Sequence, residues 1–144
     1  MKKRLFFQTM LPLLLFSNMA TGQAERTFVK SFNLLGRQTV SLNLGSNVQV
    51  TQWDNDILRV QMTVNLPTTN DATLKAIAES GRYALKSDMD LHTLSISAPN
   101  LLSTIRLNSN ELKETIFFIV FVPKGITVLK NTDPNAKIVA KLNP

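Results

Sequence analysis

The chain has 144 residues, with 16 Lys or Arg against ten Asp or Glu, a single histidine and no cysteine. Without cysteine there is no disulfide, no lipid-modified cysteine and no thiol chemistry, so the core must carry the stability, which a chain of this size can supply. Apart from Lys2, Lys3 and Arg4, the 13 basic residues from Arg26 to Lys141 are scattered without a run or stripe, which excludes the clustered basic footprint of a nucleic-acid binder.

The N-terminus reads as a secretory leader. Met1-Lys2-Lys3-Arg4 is basic, Leu5 to Met19 is mostly apolar, and Gly22-Gln23-Ala24 puts small side chains where a signal peptidase cuts. Gln8 and Pro12 interrupt the apolar part, which falls short of the roughly 20 residues a membrane span needs. The expected division is therefore a signal peptide over residues 1–24 and one β-rich domain over 25–144. The leader takes three basic residues and no acidic ones, so the mature net charge falls from +6 to +3.

Beyond the leader, period two dominates. Val40, Leu42 and Leu44 alternate with polar residues, as do Val48 and Val50, and then Leu58, Val60, Met62, Val64 and Leu66. Alternation of this kind turns one face of a strand to a core and the other to water. Shorter patterns follow at 83–87, 93–98, 104–107, 126–130 and 137–142. Turn residues separate them: Gly45-Ser46-Asn47, Asp54-Asn55-Asp56, Pro123-Lys124-Gly125 and Asp133-Pro134-Asn135. About ten short strands predict a mainly β fold, a two-layer sandwich or flattened β-roll.

One segment departs from this period. Leu74, Ile77, Ala78 and Gly81 fall at helical spacing, with Asn70 or Asp71 as N-cap and Gly81 as terminator. This predicts one amphipathic helix over 71–80, with Lys75, Glu79 and Arg82 on its solvated side. A second departure is the run Ile116 to Val122, apolar on both faces. An open row of phenylalanines invites aggregation, so its second face needs a cover. The helix is the expected cover, and a binding or oligomer surface is the alternative.

The chemistry-bearing candidates lie at corners. Trp53-Asp54-Asn55-Asp56 joins two strands, and its composition is that of a β-hairpin loop or a similar tight corner. Asp54 and Asp56 fall well short of the six to eight oxygen ligands of a calcium loop. Neighbouring carboxylates in one turn also cannot face each other across a glycosidase cleft. Trp53 lies in the polar register with Gln49 and Thr51, where it can stack on a sugar or cover a neighbouring strand. Trp53, Asp54 and Asp56 are thus the candidate surface-binding residues.

Asp88, Asp90 and His92 alternate, a spacing that can place a two-carboxylate, one-imidazole triad on one strand face. The same segment also reads as a hairpin turn. Cys-His catalysis is excluded, and neither GxSxG nor a glycine-rich phosphate loop occurs. No catalytic residue, metal or cofactor is assigned.

The stretches "LGSNVQVTQWDNDILRVQMTV" and "IFFIVFVPKGITVLKN" together resemble the exported bacterial β-repeat proteins grouped as "putative adhesins", the head-GIN type included. The resemblance runs from Val40 to Lys130. It implies an exported β-rich fold, roll-like or solenoid-like, with no active-site residues to carry over. The chain departs from longer members of that group by the helix inserted near Asp71 and by reaching Pro144 without a long run of repeats, and the second departure argues against an extended solenoid. The expected role is a non-enzymatic domain of the bacterial envelope, periplasmic or at the cell surface, that binds an envelope protein or polysaccharide. The alternatives are a small carboxylate- or metal-dependent hydrolase and an accessory of envelope-stress signalling.

Overall fold

The computed structural model describes residues 23–132. Ten strands and one helix run in the order β1 Ala24–Asn33, β2 Thr39–Asn43, β3 Val48–Trp53, β4 Ile57–Leu66, α1 Asp71–Glu79, β5 Lys86–Met89, β6 Thr93–Ser97, β7 Arg106–Leu107, β8 Asn110–Glu111, β9 Thr115–Pro123 and β10 Thr127–Lys130. Two four-stranded sheets form the layers, β1-β4-β9-β3 (sheet A) and β10-β2-β6-β5 (sheet B), and β7-β8 is a separate hairpin. The mainly β, two-layer reading of the sequence holds. The expected strand at 137–142, the expected turn at 133–135 and nearly all of the expected leader lie outside the described residues.

Period two explains the packing. β4 alternates without a fault: Leu58, Val60, Met62, Val64 and Leu66 are fully buried, and the residues between them are half-buried. Val40 and Leu42 of β2, Leu94 and Ile96 of β6, and Phe118, Val120 and Val122 of β9 complete one core between the sheets. Alternate side chains of each strand meet there, as the pleat requires.

β1 shows no clear period in the sequence, although it pairs with β4 along ten residues from Ala24↔Leu66 to Asn33↔Ile57. Its inward register holds Ala24, Arg26, Phe28, Lys30 and Phe32, and the two cations disguise the apolar period. Both are accommodated at the sheet edge. Arg26 pairs with Asp71 at 3.0 Å. The Lys30 ammonium donates to the Leu85 carbonyl at 2.8 Å and lies over the Phe32 ring.

The helix forms where the spacing predicts, with Asn70 as its cap accepting from the Thr73 N–H at 2.8 Å. Gly81, at φ +86°, ends it in the left-handed conformation that a side chain would disfavour. Leu74 and Ile77 enter the core beside β1. The helix therefore closes the gap between the sheets on the β1 side and does not cover the outer face of β9. Arg82, expected in solvent, is buried instead. Its guanidinium pairs with Glu114 at 3.0 Å and donates to the carbonyls of Asn100 and Ser103. Next to it, Tyr83 stacks on Phe28 with ring centroids 5.4 Å apart. Burial, with Glu114 adding and Arg82 opposing, pushes the Tyr83 phenol up to about 12.

Candidate functional site

The corner at Asp54-Asn55-Asp56 is not a hairpin loop. β9 inserts between its two strands, parallel to β3 and antiparallel to β4. The three residues step over the end of β9, where Trp53 aligns with Pro123, and so span about 10 Å, two strand spacings. Polar bend residues suit this geometry. The Asn55 side chain accepts from the Ile57 N–H at 3.3 Å, and Asp54 pairs with Lys124 of the β9–β10 turn at 2.6 Å. Asp56 is exposed.

Trp53 is half-buried and held on three sides. Its indole N–H donates to the Ile57 carbonyl at 3.0 Å, the Phe121 ring lies 5.3 Å away, and the Arg59 guanidinium sits over the indole at 4.8 Å. A guanidinium stacked on an indole is favourable through the ring quadrupole. It also occupies ring surface that a sugar would use.

Asp88, Asp90 and His92 lie on and after β5 in sheet B, in the hairpin that joins β5 to β6. The Asp90 carboxylate accepts the N–H groups of His92 at 2.8 Å and Thr93 at 2.7 Å, and these bonds lower its pKa below the usual carboxylate value. Asp88 accepts from the Met89 N–H at 3.0 Å. Among the described residues no three His, Cys, Asp or Glu side chains stand close enough to hold a metal ion. Asp88 and Asp90 thus bond to their own backbone, in keeping with the preference of Asp for local turn bonds, and Asp54 holds the Lys124 ammonium.

A groove of about 510 Å³ lies elsewhere, between the start of α1 and the β7–β8 hairpin. Thr68, Asn70, Thr73, Asn108, Asn110 and Glu111 are among its lining residues, and none of the candidates from the sequence reaches it. Its polar groups are neutral apart from Glu111.

The feature that stands out is the outer face of sheet A. β3 and β4 present Gln49, Thr51, Arg59, Gln61 and Thr63 there, the polar side of their alternation. β9 lies between them and breaks the rule with Phe117, Ile119 and Phe121. Phe117 is 40% exposed, and Ile119 and Phe121 are half-buried by their polar neighbours. Val29 of β1 adds a further apolar side chain, 56% exposed, two strands away on the same face. The result is an apolar ridge one strand wide, bordered by polar strands, with the Trp53–Arg59–Phe121 cluster toward one end. No described element covers this ridge. The sequence signal was the two-faced run itself; the helix was the wrong cover.

No family model matches the chain, and no curated protein matches it. A crystal structure described as a "putative cell adhesion protein" from Clostridium sporogenes is similar at a TM-score of 0.41 and 13% identity, over 74% of this chain and 46% of that one. That degree of likeness carries no argument about function.

Proposed function

We propose that this chain is an exported, non-enzymatic β-domain of the bacterial envelope that binds a protein partner through the outer face of sheet A. The observation that carries the reading is the exposed ridge of β9, with Phe117 at 40% exposure and Ile119 and Phe121 beside it. An apolar centre with a polar border is the anatomy of a protein interface. Trp53 stands at the end of this face, and Asp54 and Asp56 form part of its rim. A protein is favoured over a polysaccharide because the stacked Arg59 guanidinium takes up the ring surface a sugar would need. The leader-like segment Met1 to Ala24 supplies the export half of the reading. Among the described residues no helix is long and apolar enough to cross a membrane.

A photo-crosslinking residue placed at Phe117 in cells tests this reading. Leu91, 88% exposed in the β5–β6 turn of sheet B, serves as the control position. The expected result is a discrete adduct with an envelope protein from position 117 that is missing from position 91. Absence of any protein adduct from 117, whatever position 91 gives, contradicts it.

A further inference from the structure

The four sheet edges differ in a way that points to a second copy of this chain. Edge strands are normally blunted by charge, proline or cover, because their open N–H and C=O groups invite another strand. β1 carries Glu25, Arg26 and Lys30, β5 carries Lys86 and Asp88, and β10 carries Lys130. β3, the remaining edge, reads Val48-Gln49-Val50-Thr51-Gln52-Trp53, six residues with no charge, proline or glycine.

The hydrogen bonds fix which of its groups are open. Asn47 O accepts from Phe118 N–H at 2.9 Å, so the odd-numbered residues of β3 face β9 and the even-numbered ones face away. Val48 is already engaged, its N–H by the Ser46 carbonyl at 3.0 Å and its own carbonyl by the Lys130 ammonium at 3.4 Å. Among the described residues nothing engages the N–H and C=O groups of Val50 and Gln52, which leaves two donors and two acceptors.

We infer that two copies of the chain pair antiparallel along β3, with Val50 of each opposite Gln52 of the other. This register joins all four open groups of one copy to the four of its partner. A two-fold axis then passes between the two Thr51 residues, a close, non-hydrogen-bonded pair on the outer face where two threonines interact favourably. Asp54 of each copy falls opposite Val48 of the other, at whose carbonyl the Lys130 ammonium sits. The ends of the paired strands are therefore complementary in charge, and the paired segment itself contains no charges to repel. An isologous pairing of this kind closes on itself and makes a dimer rather than a fibre. The two copies of sheet A become one eight-stranded sheet whose outer face carries both β9 ridges.

The cysteine-free sequence makes the register testable in the full chain. Thr51→Cys places two thiols on the two-fold axis, with Cα atoms about 4.5 Å apart in a non-hydrogen-bonded pair and so within disulfide reach. Gln49→Cys puts them about 14 Å apart, too far to join. The expected results are a dimer at twice the monomer mass by light scattering and near-complete disulfide dimer on mild oxidation of Thr51→Cys, with none for Gln49→Cys. Gln52→Pro removes an outward N–H at an edge position that tolerates proline, and it should return the chain to monomer with an unchanged circular dichroism spectrum. A wild-type monomer at all concentrations, or equal cross-linking at positions 49 and 51, overturns the proposal. So does a monomer whose β3 edge is protected from amide exchange, since the edge is then occupied by another segment.

Discussion

Glu114→Ala is expected to lower the unfolding free energy by about 3–5 kcal/mol, the cost of leaving a buried charge without its partner. The Arg82 and Glu114 side chains are only 8% and 10% exposed, and they meet at 3.0 Å. The guanidinium is further tied to the Asn100 and Ser103 carbonyls, while the Asn100 side chain donates to the Gly81 carbonyl at 2.8 Å. The pair therefore links the end of α1, the 3-10 turn Pro99–Leu102 and the approach to β9. Removing the carboxylate leaves a largely buried cation with only the oxygens of Asn100 and Ser103 as partners. Urea unfolding reads the loss directly. Replacing both partners with apolar residues, as Arg82→Met with Glu114→Leu, should recover much of it, because a buried pair often adds little over a hydrophobic substitute. A loss below about 1 kcal/mol for Glu114→Ala would mean that the pair is solvated.

Phe118→Ala should cost a similar amount, about 3–5 kcal/mol. Its side chain is 2% exposed, and Phe118 aligns with Met62 of β4 and Val48 of β3 on the inner face. The adjacent residue, Phe117, is the internal comparison. It has the same chemistry on the same strand but points to the outer face, and its truncation should cost at most about 1 kcal/mol, as at an open surface site. Equal losses at the two positions would mean that both faces of β9 are covered, and the interaction surface would disappear with that result.

The sequence shows the elements whose patterns are local. β4 is legible because five consecutive inward positions, Leu58 to Leu66, are apolar, and α1 because Asn70, Leu74, Ile77 and Gly81 mark its cap, face and end. β1 is not legible, since Arg26 and Lys30 take inward positions and are satisfied by Asp71 and the Leu85 carbonyl, both far along the chain. The same difficulty hides Arg82, which follows a helix like any solvated cation and meets its carboxylate 32 residues later. The insertion of β9 between β3 and β4 has no local signature either. Two alternating strands around a short polar bend look like a hairpin whether or not a third strand enters between them.

The candidate site was half legible for related reasons. Trp53 and the two-faced run of β9 read as separate features in the sequence, because nothing there shows that Phe121 lies 5.3 Å from Trp53. The parallel pairing of β3 with β9 joins them into one surface. The acidic bends look like sites by residue type alone, whereas Asp88 and Asp90 bond to backbone N–H groups of their own turn and Asp54 pairs with Lys124.

Hydroxyl-radical footprinting of the isolated full chain tests most directly whether the ridge of β9 stands open. Phe117 should label many times faster than Phe118, with Phe121 between them. Equal protection of all three phenylalanines would contradict this account, because it would place the proposed interface inside the folded chain.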